Sequence, residues 1–166
     1  VAKATPDGYT LLYAGSNFVI SAAMQPSLPY DPIKDFVGVR QIGYGTQVLV
    51  AGPGLGVKTV KDLIALAKAQ PGKIIFGSSA TGSGTHLTGA RFNLPAGLKV
   101  VHVAFKGGPE SVLQTMAGRT HYAMGTPTGA LPFIKAGKLL ALAVHTPERS
   151  PVLPDVPAIC ITRSLS

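Results

Sequence analysis

Short apolar runs separated by Gly- and Pro-rich turns dominate the first third of the chain, and helical periodicity takes over between them afterwards. The Pro6-Asp7-Gly8 turn is followed by an apolar run over 9–14 that predicts a buried strand, ended by Gly15-Ser16-Asn17. Pro26, Pro29 and Pro32 make 25–32 an irregular connection, and runs over 36–43 and 46–51 predict two further strands. From Thr59 the period lengthens. Val60, Leu63, Ile64 and Ala67 share one helical face, Thr59 and Asp62 have the spacing of a capping box, and Pro71-Gly72 ends the helix.

The same alternation then repeats. Strands are predicted over 74–77, 99–105, 121–124 and 139–144. Helices are predicted over 85–93, from Gly108-Pro109-Glu110 (N-cap, N1 and N2) to a C′ glycine at Gly118, and over 127–136, where Gly137 stops the last one. Strands alternating with helices give an α/β fold.

Composition narrows the function. The chain has 166 residues, 46% hydrophobic and 13% charged, which suits one domain or two small lobes with a real core and argues against disorder. The formal charge is +8, but no basic run, zinc-knuckle spacing or aromatic–basic RNA-binding signature accompanies it, so nucleic acid is not an expected partner. Cys160 is the only cysteine, which excludes an intrachain disulfide. No stretch has the length and hydropathy of a transmembrane helix.

One segment stands out as a place for a small molecule. After the strand at 74–77 come Ser78, Ser79, Thr81, Gly82, Ser83, Gly84 and Thr85, and then a helix. Hydroxyls and unpaired backbone N–H groups at a helix N-terminus suit an anion, and glycines let the backbone approach it. Phe105-Lys106-Gly107-Gly108 repeats the theme after the next strand, and ligands of α/β sheets bind outside the carboxyl ends of strands. Lys106 reads either as an electrostatic partner for that anion or as a solvated loop lysine.

Other patterns carry less. Ser83 and His86 suggest a small hydrolase, yet the G-x-S-x-G elbow and an acidic orienter are absent, and His86 fits a capping or packing role better. His102 lies in an apolar strand, and no histidines have metal-ligand spacing, so no metal or other cofactor is expected. Gly52-Pro53-Gly54-Leu55-Gly56-Val57-Lys58-Thr59 lacks the P-loop glycine before Lys58. The seven acids lie in turns or at helix starts, with no acid–base pair. A binding protein is favoured over an enzyme.

Several motifs occur together and in order. They are Pro6-Asp7-Gly8-Tyr9-Thr10-Leu11-Leu12, Leu28-Pro29-Tyr30-Asp31-Pro32-Ile33-Lys34-Asp35-Phe36, the loop 77–87, Val101-His102-Val103-Ala104-Phe105-Lys106-Gly107-Gly108, Ile134-Lys135-Ala136-Gly137-Lys138-Leu139 and Arg149-Ser150-Pro151-Val152-Leu153-Pro154-Asp155-Val156-Pro157. Over about 1–158 the chain resembles the substrate-binding proteins of tripartite tricarboxylate transporters, the Bug family of periplasmic receptors. The resemblance implies a two-lobe periplasmic-binding-protein-like fold (type II, Venus flytrap) that closes on a small organic carboxylate and delivers it to membrane permease subunits, without catalysis. It implies a first lobe from 1–46 and 147–166, a second lobe from 47–146, and hinge crossings near Thr46 and Thr146. Ligand contacts are implied for the loop from Ser78 to His86, for Ser16 and Asn17 at the end of the first-lobe strand, and for Lys106, Gly107, Gly125 and Thr126.

The chain departs from the family in three respects. Members are considerably longer, so the first lobe is expected to be incomplete here, and a fragment acting only as an interaction module is the remaining alternative. The tail 159–166 is unlike theirs. Many members have Asp-Asn at Gly125-Thr126 and Asp at His121; without a cleft Asp, a carboxylate lacking an ammonium group is the expected ligand.

Overall fold

A computed structural model describes residues 1–25, 27–43 and 45–159. Pro26, Tyr44 and the distinctive 160–166 part of the tail, with Cys160, lie outside the described residues. The apolar runs from 46 onward become one mixed sheet. Its strands are β1 (Val48–Ala51), β2 (Ile75–Ser78), β3 (Val101–Ala104), β4 (Tyr122–Gly125) and β5 (Leu140–Val144), in the order β3-β2-β4-β1-β5. β2 is parallel to β3 and β4, and β1 is antiparallel to β4 and β5. Hence β2, β3, β4 and β5 all point the same way.

Both faces of the sheet are covered, which explains why its strands read as continuous apolar runs. Leu49 and Ala51 point to one side with Phe76, Tyr122 and Met124, where they meet Leu63 and Ala67 of α2 (Val60–Ala69) and Phe92 of α3 (Gly84–Asn93). Val48 and Val50 point to the other side, against Val112 of α4 (Gly108–Met116) and Ala130 of α5 (Pro127–Lys135). Leu153 and Val156 also bury on that side, and Ala158 bridges to Val144, so the chain beyond β5 returns along the sheet.

Local chemistry fixes the helix ends. Thr59 and Asp62 form the expected capping box, Thr59 Oγ1 accepting from the Asp62 N–H at 3.1 Å and Asp62 Oδ2 from the Thr59 N–H at 2.8 Å. α4 starts one residue earlier than expected, with Gly107 as N-cap and Pro109 at the second helical position. Gly118 follows α4 with φ +74°, the left-handed conformation expected of it.

The N-terminal third corrects two expectations. Residues 9–14 and 36–43 are not strands: they pair with no other strand among the described residues and, apart from the half-buried Phe36, are exposed, Tyr9 at 92% and Val37 at 90%. An apolar run supplies the propensity for a strand, but the ladder and the burial come from a neighbour. The segment after Gly15 is instead a helix, α1 (Ser16–Met24), which no pattern announced: Phe18-Val19-Ile20 and Ala22-Ala23 are apolar on every side, and Gly15 contributes no side-chain cap. Phe18, Tyr30 and Phe36 form a small aromatic cluster, centroids 5.0–5.7 Å apart. The described residues therefore hold one five-stranded α/β unit, with α1 meeting the start of α3.

Candidate functional site

Three helix N-termini converge on one edge of the sheet. Because β2, β3 and β4 run in parallel, the turns leaving Ser78, Ala104 and Gly125 open on the same edge, and α3, α4 and α5 start there. β1 begins at that edge beside Gly125, and β5 ends there beside Val48, so the segment entering β1 at 46–47 and the segment leaving β5 at 145–146 lie in the same row. The Gln47 carbonyl accepts from the His145 N–H at 2.7 Å, which ties the two segments together. Aligned helix N-termini concentrate partial positive charge and unpaired N–H groups, the elements of an anion site.

The loop from Ser78 to Thr85 is held largely by its own hydroxyls. Ser83 is the N-cap of α3: its Oγ accepts from the His86 N–H at 3.2 Å and donates to the Ala80 carbonyl at 2.7 Å. Thr85 Oγ1 accepts from the Ser79 N–H at 3.0 Å and lies 2.7 Å from Ser79 Oγ and 3.0 Å from Ser83 Oγ. Ser78 is fully buried, with Oγ 2.7 Å from His102 Nε2. Ser78 and Ser83 thus act inside the loop, whereas Thr81 is exposed and Ser79 half-buried. The helix N–H groups of Gly84 and Thr85 have no intrahelical partner and are the donors this turn offers.

A profile of the family described as "Tripartite tricarboxylate transporter family receptor" matches residues 1–164. The chain belongs to this family. It is 34% identical over 160 residues to protein BugT of Bordetella pertussis, covering 95% of this chain and 49% of that protein. A solved periplasmic transporter superposes with TM-score 0.83 at 36% identity over 95% of this chain and 53% of that one. An R. palustris protein solved with adipate superposes with TM-score 0.75 at 32% identity, over 81% of this chain and 45% of that one. The chain spans about half the length of the relatives it matches. They are two-lobe proteins named as periplasmic binding or receptor proteins, not as enzymes.

The geometry of this chain gives a hydrolytic pair no support. Ser83 Oγ meets the His86 backbone and not its ring, and His86 Nδ1 accepts from the Gly82 N–H at 3.0 Å. His86 also stacks on His102, centroids 4.1 Å apart. Burial, and secondarily the His86 charge, hold the His102 imidazole below its ordinary pKa. Among the described residues no three His, Cys, Asp or Glu side chains come together as a metal site. No helix among them is long and apolar enough to cross a membrane.

The structure sorts the remaining candidates. Ser16 and Asn17 open α1, and Ser16 Oγ lies close to Gly84: a Cβ at Gly84 would come within 3.0 Å of it. Lys106, Gly107, Gly125 and Thr126 all lie at the site edge, Lys106 and Thr126 exposed. In the three turns the one acid is Glu110, whose Oε2 accepts from the Lys106 N–H at 3.0 Å. His121 is at the other end of β4, where its Nδ1 accepts from the Ile75 N–H at 2.8 Å; its identity has no bearing on this edge. Sequence reasoning missed Gln47. Its Nε2 lies 3.4 Å from where a Gly84 Cβ would stand, and its Oε1 is buried without a hydrogen-bond partner in the described structure. A polar residue just before an apolar strand was the available signal.

Proposed function

We propose that this chain is part of an extracytoplasmic, periplasmic solute-binding receptor that captures a small organic carboxylate between two lobes and passes it to the permease subunits of a tripartite tricarboxylate-type transporter. The observation that carries the reading is the convergence of the α3, α4 and α5 N-termini on the sheet edge where both crossings lie. In this reading residues 47–146 form the second lobe, while 1–46 and 147–166 belong to the first, with 150–158 the part of the return that stays packed on the sheet. One ligand carboxylate sits over the Gly84 and Thr85 N–H groups, framed by Ser79, Thr81 and Gly82. Ser16 and Asn17 approach from the first lobe, and Lys106, Gly107, Gly125 and Thr126 complete the wall. Contact with both lobes only in the closed form is what shifts the population toward closure.

The relative solved with adipate supports a dicarboxylate as the first probe. The site turns offer one cation, Lys106, and N–H donors, and their one acid is already engaged by a backbone N–H, so a ligand ammonium finds no partner there. Titration calorimetry of the purified protein with adipate, shorter dicarboxylates and aspartate tests this. Saturable binding of a dicarboxylate with weaker binding of aspartate is expected. Absence of binding across the panel, or tighter binding of aspartate, overturns it.

A further inference from the structure

The net charge of the chain is concentrated in one part of it. Residues 47–146 carry ten Lys and Arg against Asp62 and Glu110, a formal +8, while the flanks carry five of each sign and are neutral. Within 47–146 the cations gather at the sheet edge opposite the proposed carboxylate site. Each of the four co-directional strands is entered through a cation two or three residues upstream: Lys73 before β2, Lys99 before β3, Arg119 before β4 and Lys138 before β5. The Gly72 N–H donates to the Lys99 carbonyl at 2.7 Å, joining the first two turns. Lys68, Arg91 and Lys135 stand in the last turns of α2, α3 and α5, the helix ends that lead into these entries. All seven are exposed, and none is in an ion pair among the described residues.

With strands about 4.8 Å apart, the entries from β3 to β5 extend over roughly 19 Å. The entry segments 70–74, 94–100, 117–121 and 136–139 contain no Asp or Glu, and no Phe, Tyr or Trp. Leu94, 77% exposed, stands among them. Helix C-termini account for three of the cations, which offset the dipole there, but not for the four at the strand entries.

We infer that this edge is a docking surface for an anionic phospholipid bilayer. An acidic protein is the less fitting partner, because protein interfaces are built around aromatic and Arg anchors and are poor in Lys, whereas this row is five Lys and two Arg with no aromatic residue. A charged bilayer asks only for an array of cations within a Debye length of the headgroups, and a single exposed Leu can enter the interface among them. Docked this way, the carboxylate edge faces away from the bilayer, so the docked form is one that collects ligand, and delivery to a permease requires it to leave the surface. The inference does not depend on the carboxylate reading.

Sedimentation of the purified protein with phosphatidylcholine vesicles, with and without one-third phosphatidylglycerol, tests it. Two fourfold charge reversals separate position from net charge. One is Lys73→Glu, Lys99→Glu, Arg119→Glu and Lys138→Glu; the other, in the flanks, is Lys3→Glu, Lys34→Glu, Arg40→Glu and Arg149→Glu. Each lowers the formal charge by eight, from +8 to zero. The expected result is binding to anionic vesicles only, weakened by salt, reduced at least about a hundredfold by the edge reversals and retained by the control. Equal loss in both variants, no binding of the unmodified protein to anionic vesicles, or binding only to an acidic permease subunit overturns it. Circular dichroism of both variants confirms that each is folded.

Discussion

His86 lies nearly flat on His102, with ring centroids 4.1 Å apart and planes 21° from parallel. His86 holds the Gly82 N–H and His102 holds Ser78 Oγ, so the pair grips the loop at two points. Burial and then the His86 charge lower the His102 pKa from 6.5. Burial likewise lowers that of His145, against a backbone hydrogen bond at Ile159 that raises it, with Arg91 lowering it further. A histidine harder to protonate in the fold than in the unfolded chain favours the unfolded chain once protons are available. Stability is then full above the ordinary value of 6.5 and falls as pH drops below it. Melting temperature should be flat from pH 8 to 7 and decline toward pH 5, with a shallower decline in His102→Gln. A melting temperature that is constant or rises toward pH 5 excludes this linkage.

Gly89 is where α3 rests on β2. A Cβ there would lie 2.0 Å from Cζ of Phe76, a ring that is itself 1% exposed and has no room to retreat. Gly89→Ala should therefore destabilise the protein by about 3 kcal/mol despite the better helix propensity of alanine. Urea denaturation measures this, and a neutral or stabilising result would show that α3 lies farther from the sheet than described.

Ser83 is expected to act on stability more than on affinity. Its one proton goes to the Ala80 carbonyl and its lone pairs serve the α3 cap, so little remains for a ligand. Ser83→Ala should cost roughly 1 kcal/mol of stability, and Ser83→Gly only a few tenths through the cap. Paired thermal melts and adipate titrations check this. A tenfold loss of affinity with no loss of stability would reassign the hydroxyl to the ligand.

Gln47 is expected to behave in the opposite way. Its amide faces the start of α3 with Oε1 unpartnered, at a crossing where lobe closure would change its surroundings. Gln47→Ala should weaken dicarboxylate binding about tenfold, near 1.4 kcal/mol, with a melting temperature close to that of the unmodified protein. Calorimetry gives the number, and unaltered affinity would remove Gln47 from the site.

Much of the fold was legible because its signals are local. The Thr59–Asp62 capping box and the C′ glycine at Gly118 both operate within a few residues. The runs at 9–14 and 36–43 misled for the complementary reason: they have strand chemistry without a strand partner. At the candidate site the Ser/Thr/Gly loop was visible, but the direction of its hydroxyls was not. That the Ser78 hydroxyl turns to His102 depends on a strand 24 residues further along the chain.

By itself the sequence determined the family, the α/β alternation and the loop at the start of α3, since motif order, period and cap chemistry are written along the chain. Only the tertiary structure decided which ends of the strands lie together. That arrangement gathers three helix N-termini at one edge and Lys73, Lys99, Arg119 and Lys138 at the other. The physical reason is that the parallel or antiparallel sense of each strand is set by non-local pairing. Cations that look scattered along the sequence become a row once four strands run the same way.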